Sequence, residues 1–326
     1  MRVLITLFLL VVLAAGGWWA WAVYTPVTPP GNQSVLLRSG YSTRRIGAEL
    51  KKAGVIRSVF AFRVWHTVHH KHSLKAGEYL FDRAASIPQV YDRIARGDIY
   101  FHVVTIPEGY TIFDVAKTIE EAGLGSAQEF LKIAQTRTDL IADLTPQAKS
   151  LEGYLFPNTY QFTRTQSPEE MAATMVHQFR QVAQQIGLNS DVHQTVTMAS
   201  IVEKESAVPE ERPLVASVYY NRLARRMALD ADPSVIYAEL LAGTYSGSLH
   251  HQDLAVHSPY NTYRFPGLPP GPIGNPGQSA LQAAMHPATS EFYYFVSDGN
   301  GHHRFARSLT EHNRNVTAYR RSLGMH

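Results

Sequence analysis

A run without charge extends unbroken from Val3 to Tyr24, after which apolar residues recur at helical spacing in short amphipathic stretches and later cover almost the whole girth of one segment near residue 200. The first run carries no charge and is long enough to span a bilayer. Trp18, Trp19, Trp21 and Tyr24 crowd its far end, where interfacial aromatics belong. Ala20-Trp21-Ala22 has the small-x-small form of a signal-peptide cleavage site. The run exceeds a usual signal core, however, and bulky indoles surround that site, so the reading is a retained anchor. Large domains translocate largely regardless of flanking charge, which puts the bulk of the chain outside the cytoplasm. Thr25 to Asn32, with Pro26, Pro29, Pro30 and Gly31, reads as a stiff extended spacer.

An internal repeat follows. Leu37-Arg38-Ser39-Gly40-Tyr41-Ser42 leads into Ile46, Gly47, Leu50, Ala53, Gly54 and Val55. Ile106-Pro107-Glu108-Gly109-Tyr110-Thr111 leads in the same way into Val115, Ala116, Ile119, Ala122, Gly123 and Leu124. Each copy predicts a short strand, a Gly-Tyr turn, a Ser or Thr cap and an amphipathic helix ended by Gly54 or Gly123. Between them Leu74 to Phe81 reads as a strand and Ile87 to Arg96 as a helix. Two related strand–helix units with such a connection suggest a small α+β module, either a packing spacer or a glycan-binding element.

The segment of apolar girth contains Thr197-Met198-Ala199-Ser200-Ile201-Val202-Glu203-Lys204-Glu205-Ser206. At about 100° per residue, His193, Thr197, Ser200 and Lys204 share one stripe, the expected solvent face. Glu203 and Glu205 fall among the apolar positions, roughly 160° apart, so at most one can face a given cleft. Carboxylates are seldom buried unless paired or employed. Either both are ion-paired, for instance with Arg212 or Arg222, or one holds its proton towards neutral pH as a general acid must.

Composition narrows the chemistry. The 326 residues suffice for two domains, and 30 basic against 27 acidic residues give a net charge of +3, too balanced to predict nucleic-acid binding. The absence of cysteine excludes disulfides, zinc–thiolate sites, cysteine nucleophiles and a lipid-modified N-terminal cysteine. His66, His69, His70 and His72 form a tempting cluster, but Thr67 stands where a zincin would need glutamate. His250-His251 and His302-His303 are adjacent pairs whose side chains are expected to diverge, so no metal site and no cofactor is predicted. No Gly-x-Ser-x-Gly elbow or phosphate-cradling loop occurs.

The second half is dense in aromatic and polar residues set between turns. Its clusters are Leu151 to Tyr160, Tyr219-Tyr220-Asn221-Arg222, Asp230 to Tyr237, Tyr260-Asn261-Thr262-Tyr263 and Gly267 to Ile273. Long loops held by Pro and Gly are where binding residues concentrate. Tyr faces stack on sugar rings while Asn and Asp bond hydroxyls, a composition suited to a carbohydrate groove. Glu152, Tyr220, Asn221, Asp232, Tyr260, Asn261 and Tyr263 are the candidates for holding substrate.

Taken together, the anchor, Ile106-Pro107-Glu108-Gly109, Leu151 to Tyr160, Ile201 to Glu205, Asp232-Pro233, Tyr260 to Tyr263, Gly267 to Ile273, Asn275-Pro276-Gly277, Tyr293 to Val296 and His312-Asn313 resemble the membrane-anchored endolytic murein transglycosylase (YceG-like) family, in its order along the whole chain. The resemblance implies an α+β protein with one membrane span at 1–24, a Pro-rich linker at 25–33, a LysM-like module at 34–145 and a catalytic domain at 146–326 outside the cytoplasmic membrane. It implies cutting of nascent peptidoglycan strands between N-acetylmuramic acid and N-acetylglucosamine with a 1,6-anhydro end, beside peptidoglycan synthases as partners. The family's catalytic glutamate, second of its Glu-Lys-Glu motif, maps onto Glu205. Two positions depart from the family pattern, Asn158 for its usual Asp and Asp230 for its usual Gln. The rival readings are a non-catalytic anchored glycan-binding scaffold and a hydrolytic muramidase, the latter needing a second carboxylate such as Glu152 or Asp232 near Glu205.

Overall fold

The uncharged N-terminal run folds as one helix, α1 (Arg2–Tyr24), in a computed structural model that describes residues 1–69 and 73–323. Its length and composition are compatible with a single-pass membrane anchor, and a signal sequence meets the same criteria. His70 and His72 of the histidine cluster lie outside the described residues. Two compact units make up the chain, one from Met1–Val103 with Gln161–Ser167, the other from Val104–Tyr160 with Pro168–His326. As expected, the architecture is mixed α+β.

In the first unit the order is β1 (Gln33–Leu37), α2 (Thr43–Lys52), α3 (Val59–Val68), β2 (Gly77–Phe81) and α4 (Ile87–Arg96). β1 and β2 are antiparallel, with Val35 opposite Tyr79 and Leu37 opposite Gly77. Val35 and Leu37 point inward by strand alternation and meet Leu50, Phe62, Tyr79, Tyr91 and Ile94 in the core. Ala22 and Val23, at the end of α1, are buried in that same core. The Pro-rich stretch is tied down: Val27 and Ala85 exchange backbone hydrogen bonds of 2.9 and 3.1 Å, and Arg57 donates to the carbonyls of Thr25 and Pro26. The expected extended spacer is thus anchored to the fold at Thr25 to Val27, while most of its residues stay exposed.

The second unit takes in the end of β3 (His102–Thr105), then α5 (Ile112–Glu121), α6 (Ala127–Thr136), the start of β4 (Thr159–Phe162), α7 (Pro168–Ile186), α8 (Val192–Glu205), α9 (Arg212–Ala224), α10 (Asp232–Ala242) and α11 (Gln278–Met285). A hairpin of β5 (Tyr294–Ser297) and β6 (His303–Ala306) and the helix α12 (Leu309–Ser322) complete it.

Both copies of the repeat form their predicted local parts. Ser42 caps α2 by accepting from Arg45 N at 3.3 Å, and Thr111 caps α5 in a reciprocal box with Asp114. Gly54 and Gly123 end the two helices at φ 70° and 68°. The copies do not assemble into one small module, however. The first builds the first unit by pairing β1 with β2, whereas the second packs within the other unit. The division at residue 145 expected from the sequence therefore differs from that of the compact units.

α8 packs against α9, α10 and α11, and every residue from Thr195 to Val202 is buried. This corrects the expected solvent stripe: Thr197 and Ser200 are each 1 % exposed. Their hydroxyls donate to the helix's own carbonyls, Thr197 to His193 O and Ser200 to Thr197 O, both at 2.7 Å, which lets them enter a dry interior. Ser200 Oγ also accepts from Ile273 N at 3.0 Å, and His193 Nε2 meets Pro270 O at 2.8 Å. The Gly267–Ile273 loop thereby covers the His193–Ser200 part of the side that periodicity marks as polar, while Lys204 is exposed as expected.

Gly153, at φ 88°, lets the 151–156 turn approach α8 closely: a Cβ there would stand 2.5 Å from Pro272 Cγ and 2.8 Å from Val196 Cγ1. Gly153→Ala combines overpacking with a disfavoured backbone and is expected to cost about 2–4 kcal/mol. Urea unfolding followed by circular dichroism measures this.

Candidate active site

The two glutamates at the end of α8 have opposite surroundings. Glu203 pairs with the buried Arg212 at 2.6 Å and accepts from Gly277 N at 2.9 Å. Arg212 also donates to Ser206 O at 3.2 Å and lies 3.5 Å from Glu108. Burial raises the Glu203 carboxyl, while Gly277 N–H and Arg212 pull it back. Its bonds are spent on joining the Glu108 turn, the start of α9 and the Asn275-Pro276-Gly277 segment.

Glu205 instead opens on a cavity of about 470 Å³. Tyr219 donates its hydroxyl to Glu205 Oε1 at 2.9 Å. The cation nearby, Arg222, is committed elsewhere: it donates to the carbonyls of Tyr293 (2.7 Å), Leu229 (2.9 Å) and Ala228 (3.1 Å) and to Asp230 Oδ2 (3.1 Å). Burial therefore dominates and pushes the Glu205 carboxyl up to about 7, with Asp232 raising it further and Tyr219 and Arg222 opposing. Its place at the helix C-terminus acts in the same direction, because the carbonyl end of the macrodipole disfavours an anion.

The cavity walls come from several elements. α9 supplies Tyr219 and Arg222, the start of α10 Asp232, the following turn Tyr263, the β5–β6 hairpin Tyr294, Phe295 and His303, and α12 His312. Thr262 aligns two of these walls, its hydroxyl accepting from Ala231 N at 3.0 Å and meeting Ser234 Oγ at 2.9 Å. Tyr263 can then donate to Asp232 Oδ1 at 2.6 Å. His312 stacks on Tyr294 with ring centroids 5.2 Å apart, and its buried Nδ1 has no protein partner among the described residues. Burial and then Arg222 lower its pKa, favouring the neutral ring.

Of the residues expected from sequence, the cavity brings together Glu205, Asp232 and Tyr263. The others stand elsewhere. Glu152 is 2 % exposed, accepts from Ile112 N at 3.0 Å at the start of α5 and from Asn275 Nδ2 at 3.2 Å, and is pushed up to about 8 by burial. Asn221 donates to Ser290 O and Phe292 O, holding the chain into β5. Asn261 is fully buried and builds its turn by donating to Leu254 O and Val256 O. Tyr260 packs on Tyr237 at 5.0 Å, and Tyr220 donates to Ala284 O beside a separate cavity of about 620 Å³. Of the two departures from the family pattern, Asp230 reaches the Glu205 cavity, whereas Asn158 accepts from Thr159 N and is not among its lining residues.

Sequence reasoning did not single out Tyr294, His303 or His312 as site residues. The expected divergence of His302 and His303 is also corrected. Both rings bond Glu211, at 2.9 and 2.7 Å, because that carboxylate sits where the hairpin turns and can reach both. The signals for them were the adjacency of His302 and His303, the Tyr293 to Val296 motif and the His312-Asn313 motif.

The family model described as YceG-like matches residues 35–318. The chain belongs to the YceG-like family. Among the relatives of this YceG-like chain, an endolytic murein transglycosylase of Bacillus subtilis (strain 168) is 32% identical over 88% of it and 84% of that protein. One of Streptococcus pneumoniae serotype 2 is 30% identical over 96% of it and 64% of that longer protein. A crystal structure of a yceG-like protein from Listeria monocytogenes superposes with a TM-score of 0.57 at 32% identity, covering 87% of the chain and 98% of that structure.

Arg212→Ala would leave Glu203 buried without its cation, an expected loss of about 3–5 kcal/mol in denaturant unfolding. Pairing it with Glu203→Gln should recover much of that loss, so a double-mutant cycle reads the coupling directly.

Proposed function

We propose that this chain is an endolytic murein transglycosylase that cleaves peptidoglycan strands between N-acetylmuramic acid and N-acetylglucosamine, with Glu205 as its single acid–base catalyst. The observation that carries the reading is a carboxyl raised to about 7 at the wall of a cavity, with no cation of its own. Near neutral pH it holds its proton much of the time and can donate it to the departing O4 of N-acetylglucosamine. The carboxylate so formed accepts the proton of the muramic acid C6 hydroxyl as that oxygen attacks C1, closing the 1,6-anhydro ring without water. The nucleophile is already part of the reacting sugar, which gives it the advantage of an intramolecular attack. Tyr219 steadies the carboxylate in the second half, while Tyr263, Tyr294 and Phe295 offer faces for sugar rings and His312 Nδ1 a polar group for their substituents.

The same proposal gives α1 the role of a retained anchor in the bacterial cytoplasmic membrane, with the chain after α1 on the periplasmic side and peptidoglycan synthases as protein partners. The first unit serves as the LysM-like module, a reading supported by its strand–helix–helix–strand order with antiparallel strands. A second reading, hydrolysis, is favoured by one observation: Asp232 shares the Glu205 cavity and could activate water.

Mass spectrometry of products from uncrosslinked strands separates these readings. Internal fragments with 1,6-anhydro ends are expected, and Glu205→Gln should lower their formation by at least about 10²-fold with the fold intact. Reducing ends would mean that water attacks, and strand binding without any cleavage would leave only a scaffold.

The acid form must be present, so kcat/KM should fall about tenfold per pH unit above about 7. Tyr219 lowers the Glu205 pKa by donating to the carboxylate, so Tyr219→Phe should move this alkaline limb to higher pH while slowing turnover at its plateau. A pH–rate profile of both proteins checks the sign.

A further inference from the structure

α1 is exposed on every side only from Arg2 to Trp18. At a rise of 1.5 Å per residue that stretch covers about 25 Å, less than the roughly 30 Å of a bilayer's hydrocarbon core. Beyond Trp18 the rest of the first unit packs against one side of the helix: Trp19 and Ala20 are half-buried and Ala22 and Val23 are 1 % and 0 % exposed, while Trp21 and Tyr24 stay exposed. Without thinning the bilayer, a retained anchor finishes its crossing by drawing whatever packs around Trp19 to Val23 into the lipid interface.

α3 is one of the two helices packed there. Its Trp65 ring meets Tyr24 edge-on at 5.8 Å, and Tyr24 in turn meets Trp19 at 6.4 Å. The Arg57 guanidinium, just before α3, lies 4.9 Å over the Trp21 ring. Beside that contact α3 carries an apolar stripe whose two ends are left open among the described residues. Phe60 and Val68 are 61 % and 67 % exposed, and Val64 between them at the same helical spacing is half-buried. The exposed Arg63 flanks the stripe, and α3 contains no carboxylate, a charge pattern matched to anionic headgroups.

We propose that α3 lies in the membrane interface beside the anchor, with Phe60, Val64 and Val68 seated at the boundary between headgroups and acyl chains. This rests on the reading of α1 as a retained anchor. The helix would then act as a second foot of the first unit, fixing how that unit meets the bilayer.

The lack of cysteine makes the test clean, because one introduced thiol is labelled uniquely. The full chain would carry Val68→Cys, Phe60→Cys, Val11→Cys or Ser39→Cys, each with an environment-sensitive fluorophore. Each would be reconstituted into phosphatidylethanolamine–phosphatidylglycerol vesicles without bromine, or with acyl chains brominated near the headgroup (read at positions 60, 68 and 39) or near the methyl end (read at position 11). Quenching at positions 68 and 60 several-fold above that at Ser39, which is exposed in the turn after β1, is the expected result. Quenching at Val11 with position 68 no different from Ser39 would overturn the proposal and leave the anchor standing, including the case in which a second copy or another protein shields the stripe. Absence of quenching at Val11 would instead overturn the anchor reading, and this proposal with it.

Discussion

A carboxyl withdrawn from water must either meet a cation or keep its proton, and the last turn of α8 does one with Glu203 and the other with Glu205. Two residues of separation send the side chains to different sides of the helix, so each solution is free of the other. Arg212 reaches Glu203 from the start of α9, while Arg222, the cation near Glu205, is held by three carbonyls and Asp230. The ordered cavity follows from this division. Glu203 fixes the helix end against the Gly277 segment, and Glu205 is carried to the opening with its carboxyl raised by burial to about 7.

The helix and its paired glutamates were legible in the sequence because apolar residues around most of a helix admit carboxylates only for a reason. Which glutamate is paired was not legible from angles alone, since the deciding partner arrives through the packing of α9. The buried hydroxyls of Thr197 and Ser200 were misread because periodicity counts them as polar, whereas in place they bond their own helix. A similar ambiguity governs Asn221, Asn261 and Glu152. A polar side chain in a turn-rich segment can bond a ligand or its own backbone, and composition alone does not distinguish the two. In the fold these three hold backbone, while Asp232 and Tyr263 meet across the cavity because Thr262 aligns their elements.

The repeat shows a related separation of scales. Caps, Gly-Tyr turns and terminal glycines are written within each copy and form in both. The choice of partner strand is not local: β1 found β2, and the second copy was taken up by the other unit. Likeness of sequence therefore extended to the form of each part and stopped short of its address.

Glu108, Glu203, Arg212 and Gly277 form a closed set drawn from three distant stretches of chain. Glu203 bonds Arg212 and Gly277 N, Arg212 approaches Glu108, and a side chain at 277 would collide with the Glu108 carboxyl. No member can change size or charge without disturbing two others. Over evolutionary time these four positions should drift as a block, so that a substitution tolerated at one is read in a relative's sequence together with its compensation at another.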